Sequence, residues 1–107
     1  MGFKRKASRV EVSRAGRLQR GALSAPCKVL DVSEEGVRLE SRLFVKHGDR
    51  LRLVIELDRV KTLTCEVQAV HVRSPRLGAK IVSISPEDRE HLSHILDDRV
   101  QASFSRD

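Results

Sequence analysis

Two arginines four positions apart, Arg5 and Arg9, precede a second polar group, Asp31, Ser33 and Gly36, in the run Asp31-Val32-Ser33-Glu34-Glu35-Gly36. A guanidinium can hold a phosphate, or the Hoogsteen edge of guanine, through two parallel hydrogen bonds. A carboxylate, a hydroxyl and backbone amides can recognise polar base edges, and glycine allows either close backbone approach or a positive φ. Together these types suit a site for a small, doubly charged, guanine-containing ligand. The same residues also have plainer uses. Asp and Ser commonly bond local amides in turns, and Arg5 and Arg9 stand in a generally basic segment.

The elements that must position these groups read as mostly strands. Residues 1–9 are basic and nearly devoid of core-forming side chains, which predicts a flexible arm. Val10 and Val12 alternate with polar neighbours, and Arg17-Leu18-Gln19 continues toward a turn at Gly21. A second strand spans Ala25 to Val32, with Pro26 marking an edge or a strand start. Asp31 to Gly36 forms the turn, and a short strand follows through Val37 and Leu39. After the turn signal His47-Gly48-Asp49, the residues Leu51, Leu53, Ile55 and Leu57 define one apolar face. A hairpin over Asp58 to Lys61 leads into a long strand in which Leu63, Cys65 and Val67 share a face, while Val70 and Val72 are in the opposite phase. Such a phase change predicts a β-bulge. Ser74-Pro75 breaks the run, and Leu77 to Ile84 makes the last strand.

Ser85-Pro86-Glu87-Asp88 announces a helix: a capping hydroxyl, proline at the first helical position, and acids facing the positive end of the dipole. Leu92, Ile95, Leu96 and Val100 form its apolar stripe, suited to covering a barrel opening or a sheet face. Six short strands and one terminal helix predict a mainly β protein, a small antiparallel barrel. The expected organisation is an arm over 1–9, a barrel with its helix over 10–101, and a frayed tail over 102–107.

Composition narrows the function classes. At 107 residues the chain supports one core, burying roughly 65% of its unfolded surface. No apolar run approaches the ~20 residues needed to span a bilayer, and the basic start lacks the apolar stretch of a secretory signal. A cytoplasmic protein is expected. Cys27 and Cys65 sit in apolar runs and read as small core residues; no Cys-x-x-Cys spacing supports a metal site. His91 and His94 read as solvated helix residues. The net charge of +6 calls for an anionic partner, yet three phenylalanines without Trp or Tyr argue against a stacking platform for single strands. No nucleophile elbow, phosphate-binding glycine loop or triad is present, so a binding protein rather than an enzyme is expected.

Arg5-x-x-x-Arg9 followed by Asp31-x-Ser33-x-x-Gly36 resembles the signature of the PilZ domain family, R-x-x-x-R and [D/N]-x-S-x-x-G. The strand-turn-strand phrase from Val29 to Leu39, and Gly78-Ala79-Lys80-Ile81 with Ile84 to Asp88, extend the likeness over nearly the whole chain. The resemblance implies a six-stranded antiparallel barrel that binds the bacterial second messenger cyclic di-GMP without a further cofactor. It assigns Arg5 and Arg9 to guanine and phosphate contacts, with Asp31, Ser33 and Gly36 lining the barrel side. Lys4, immediately before the first arginine, and His71, where such families often carry an aromatic, are additional candidate contacts. Ile81 stands where the family often has Phe. Lys4 also raises the prospect of a stacked ligand dimer. The implied mechanism is a clamp: ligand bridges arm and turn, and the rearranged surface is read by a downstream protein. Two alternatives stand beside it, a PilZ-type adaptor indifferent to nucleotide and a basic barrel that binds nucleic acid. For a receptor, membrane insertion and specific DNA or RNA binding are not expected.

Overall fold

The computed structural model describes residues 9–105, with side chains described for residues 9–97. Six strands and one helix follow in order: β1 (Val10–Arg20), β2 (Leu23–Val32), β3 (Gly36–Ser41), β4 (Arg50–Glu56), β5 (Thr62–Arg73), β6 (Arg76–Ile84) and α1 (Pro86–Ser105). All strand pairs are antiparallel and the sheet closes in the order β1-β2-β3-β6-β5-β4. Closure removes the open edges that an isolated sheet would expose to pairing. The expected mainly β barrel with a C-terminal helix is what the chain forms.

Alternation decides which side chains fill the barrel. Leu51, Leu53 and Ile55 of β4 are buried, as are Leu63, Cys65, Val67 and Ala69 of β5. The face expected to include Leu57 ends one residue early: β4 stops at Glu56, and Leu57 packs partly buried against the core. There Asp58 Oδ1 accepts from the amides of Val60 and Lys61, both at 2.8 Å, and turns the chain. At the other end of β4's partner strand, Gly21 at φ 60° turns the chain from β1 into β2. Pro26 lies one residue beyond the β2–β3 ladder, which ends at Cys27 opposite Ser41, so its missing N–H costs no bond on that side. Two early arginines are structural. Arg14 donates to the carbonyl of Leu57 at 2.7 Å, and Arg20 ties the carbonyl of Phe44 at 2.6 Å.

Bulges bend this sheet where the expected site lies. Against β6, Val70 is the extra residue of β5, between Ala69 opposite Ala79 and His71 opposite Gly78. The phase change read from the sequence is this bulge, and it leaves Val72 opposite Leu77. In β2, Leu30 is extra against β3, between Val29 opposite Leu39 and Asp31 opposite Arg38. In β1 the pairing slips between Glu11 and Arg14, and Ser13 there takes φ 53°.

Helix α1 starts as the sequence predicts. Ser85 Oγ accepts from the Asp88 amide at 3.1 Å and donates to Asp88 Oδ2 at 3.2 Å, a reciprocal cap. Leu92 is buried, with Ile95 and Leu96 packed on the core; the Val100 side chain lies outside the described ones. The helix continues to Ser105, past residue 101 where the helical part was expected to end. No described helix is long and apolar enough to cross a membrane. His91 departs from the expected solvated role: it is half-buried and hydrogen-bonded to Asp88 Oδ1 at 3.3 Å, whereas His94 is exposed. Both cysteines are free and buried. Burial pushes the Cys27 thiol up to about 11 against the opposing pull of Arg17. Burial, then the negative charges of Asp88 and Glu66, push Cys65 up to about 12.

Candidate functional site

One groove of about 1050 Å³ runs along the outside of β2, β3, β6 and the far end of β5, with Arg9 at its rim. The β2–β3 turn contributes Ser33, Glu35 and Gly36 to its lining. Ser33 N donates to the Gly36 carbonyl at 2.8 Å, and Ser33 Oγ accepts from the amides of Glu35 at 3.3 Å and Gly36 at 3.2 Å. The hydroxyl is therefore a turn-former, only 5% exposed, and it fixes the backbone beneath the groove.

Asp31 reaches the groove because Leu30 takes up one extra residue. Val29 and Val32 both point inward, at 0% and 1% exposed, so a regular strand would alternate Asp31 to the same side as Val29. The bulge instead sets Asp31 opposite Arg38 on the outer face. Its carboxylate is held from two directions: Arg9 Nη1 donates to Oδ1 at 2.9 Å and Arg38 Nε donates to Oδ2 at 3.2 Å. The Asp31 side chain is 11% exposed, against 46% for Arg9 and 59% for Arg38. Each pair contributes roughly 0.2–1 kcal/mol, because the guanidiniums remain largely in water. Geometry is the larger gain, since the carboxylate is aimed into the groove.

Gly36 serves the site by close approach. A Cβ placed there would lie 2.6 Å from the Ala79 carbonyl oxygen on β6. Positive φ, the other use open to this residue, belongs to Gly21 and Gly48. Across the groove His71 is exposed on β5 opposite Gly78, whose absent side chain leaves the imidazole against the strand backbone. Lys28, Arg76 and Lys80 also line the groove and add positive charge.

Arg9, Asp31, Ser33, Gly36 and His71 thus meet in one place, while Arg5 and Lys4 lie outside the described residues. Arg38 is the residue that motif reading missed. Its position between inward-facing Val37 and Leu39 marks it as outward, but its partnership with Asp31 depends on the bulged register. Among the described residues no group of three or more His, Cys, Asp or Glu side chains could hold a metal ion.

A model of the PilZ domain matches residues 3–98. The chain belongs to the PilZ domain family. Solved structures share the fold at low identity. The inhibitor of motility MotI/DgrA of Bacillus subtilis superposes with TM-score 0.75 at 16% identity, over 98% of this chain and 53% of that one. The PilZ domain of YcgR from Escherichia coli, with c-di-GMP, gives 0.75 at 12% identity over 97% of both chains. The MrkH–c-di-GMP complex from K. pneumonia gives 0.78 at 16% identity, over 99% of this chain and 57% of that one. This PilZ domain therefore spans about half the length of MotI/DgrA and of MrkH and nearly the whole of the isolated YcgR domain. A comparison with curated proteins finds no match.

Proposed function

We propose that this PilZ domain is a cyclic di-GMP receptor that binds the dinucleotide in the groove between Arg9 and the Asp31–Gly36 turn. The observation that carries the reading is the convergence of Arg9 and Asp31, 22 residues apart in sequence, in a direct contact inside that groove. Family membership and two neighbours solved with c-di-GMP support the ligand class. In this reading Asp31 accepts from the N1–H and N2–H groups of guanine, which no arginine can do. Arg9, with Arg5 from the arm, takes phosphate and the guanine Hoogsteen edge. Ser33 and Gly36 shape the floor, and His71 offers a flat surface to a base. Arg38 stays on Asp31 and keeps its carboxylate aimed. Binding draws the arm across the barrel, alters the surface a partner protein reads, and involves no chemical conversion of the ligand.

Titration calorimetry of the full chain with cyclic di-GMP tests the proposal and separates one bound molecule from a stacked pair. Saturable binding is expected, abolished in the Arg5→Ala/Arg9→Ala double variant and in Asp31→Ala, with GTP failing to compete. A nucleic-acid binder behaves oppositely: removing the Asp31 carboxylate improves its affinity for polyanions, and its binding falls steeply with salt. Absence of any heat or shift at high-micromolar ligand and low salt refutes the receptor reading.

A further inference from the structure

Beside the groove, and sharing a wall with it, the described residues carry an apolar surface that includes exposed side chains. Phe44, on the loop between β3 and β4, is 69% exposed, and Val72 at the end of β5 is 39% exposed. With Leu43, Pro75 and Leu77 they line a depression of about 140 Å³, close to the roughly 150 Å³ that accommodates a benzene ring. Single exposed apolar residues are ordinary, but a clustered set around a concavity is what binding surfaces show.

The loop that presents Phe44 is tied down. Arg20 Nη1 donates to the Phe44 carbonyl at 2.6 Å and to Asp49 Oδ2 at 3.1 Å. Asp49 Oδ2 also accepts from the Lys46 amide at 2.9 Å, and the Asp49 carbonyl accepts from the Ala69 amide of β5 at 3.0 Å. The loop backbone that carries the exposed ring is therefore fixed, and a partner need not order that loop on binding.

Charge identifies the occupant. Arg76, which lines the depression, is paired with Glu40 at 3.3 Å. The exposed residues Arg42, Lys46 and Arg73 adjoin its lining residues in sequence and leave the surroundings net cationic, and no carboxylate lines it among the described residues. We infer that this surface docks an acidic protein segment, which seats one apolar side chain beside Phe44 and sets Asp or Glu against the arginine and lysine rim. A second copy would bring two cationic rims together about a two-fold axis, which like-charge repulsion opposes. A single-stranded nucleic acid would find one aromatic ring in a mostly aliphatic concavity. Val72, Arg76 and Leu77 line both this depression and the ligand groove, so the β5–β6 hairpin is a wall common to the two. That ligand occupancy changes docking rests on the receptor reading; docking itself does not.

The test is a selection of random 12-residue displayed peptides on the immobilised, ligand-free full chain, with counter-selection on Phe44→Ser. The expected result is a family pairing one apolar anchor with flanking Asp or Glu. A synthetic member should bind the wild type at least tenfold more tightly than Phe44→Ser or Arg73→Glu, and weaken with salt. It should shift amide resonances of residues 43–46 and 72–76. Unchanged circular dichroism of Phe44→Ser shows that the variant still folds, as the exposure of the ring leads one to expect. Selection of neutral or basic peptides, or no family that depends on Phe44, overturns the inference. So does Phe44-dependent binding of oligo(dT) or oligo(U), or a Phe44-dependent dimer in sedimentation. Repeating the peptide titration with cyclic di-GMP reads the coupling. A chain that takes the peptide but not the dinucleotide loses the receptor reading and keeps the docking surface.

Discussion

Replacing Gly36 by alanine tests whether the motif glycine is a packing residue. Its new Cβ would lie 2.6 Å from the Ala79 carbonyl oxygen and 3.4 Å from the Lys80 Cα, both backbone atoms of β6. Carbon–oxygen contacts of this kind settle at about 3.4 Å, so β3 and β6 must separate by roughly 0.8 Å. The adjacent bond from the Ile81 amide to the Glu35 carbonyl, 2.8 Å long, would then stretch past useful length. Overpacking costs about 1–3 kcal/mol and a weakened backbone bond about 1 kcal/mol more. The expected loss is thus about 2–4 kcal/mol, or a fall in Tm of roughly 10–25 °C for a domain of this size. With no Trp or Tyr in the chain, far-ultraviolet circular dichroism in a urea series is the suitable probe. Gly78→Ala is the internal control, because its Cβ would meet only the His71 side chain at 3.4 Å, an ordinary contact. That variant should stay within about 0.5 kcal/mol of the parent. Equal stability of the two alanine variants would refute the close-approach explanation.

Arg38→Ala should weaken cyclic di-GMP binding roughly tenfold or more, the scale of one charge-assisted hydrogen bond, with stoichiometry and Tm nearly unchanged; calorimetry and melting curves check this. Ser85→Ala removes the acceptor for the Asp88 amide and should cost about 1 kcal/mol in urea denaturation, with no effect on ligand affinity. Both thiols should resist an aromatic disulfide reagent until the protein is unfolded. Their folded pKa values lie above the ordinary value of 9.0, so the stability they contribute is complete below pH 9. It drains as pH rises toward about 11 for Cys27 and about 12 for Cys65, because the unfolded chain loses those protons first. Each thiol contributes a slope of about 1.4 kcal/mol per pH unit within its window. Cys65→Ala should flatten the decline between pH 9.5 and 11, and an unchanged slope contradicts the assignment.

The parts of this fold legible in the sequence are those governed by local rules. Strict alternation in Leu51-Arg52-Leu53-Val54-Ile55 marked β4, and Ser85-Pro86-Glu87-Asp88 marked the helix start through hydrogen bonds made within four residues. Even the β5 bulge left a trace, because an apolar run on both sides of Val70 exposes the change of phase. The Leu30 bulge left none: Asp31 follows Val29 by two positions, and a period-two reading puts the carboxylate in the core. Only the pairing of β2 with β3 shows it facing out beside Arg38. The Phe44 surface was equally hidden, since Phe44 lies on the β3–β4 loop and Val72 at the end of β5, far apart in sequence, and nothing local to either announces the other.

The double hold on Asp31 has a consequence for what the groove will accept. Arg9 sits on one oxygen and Arg38 on the other, so under the proposed receptor reading a guanine that bonds to the carboxylate competes with a guanidinium for it. A phosphate on the same molecule offers Arg9 a new partner, which a guanosine without phosphate does not. In that reading the ion pair favours a ligand that carries both groups, and selectivity arises from an exchange of partners as well as from the shape of the cleft.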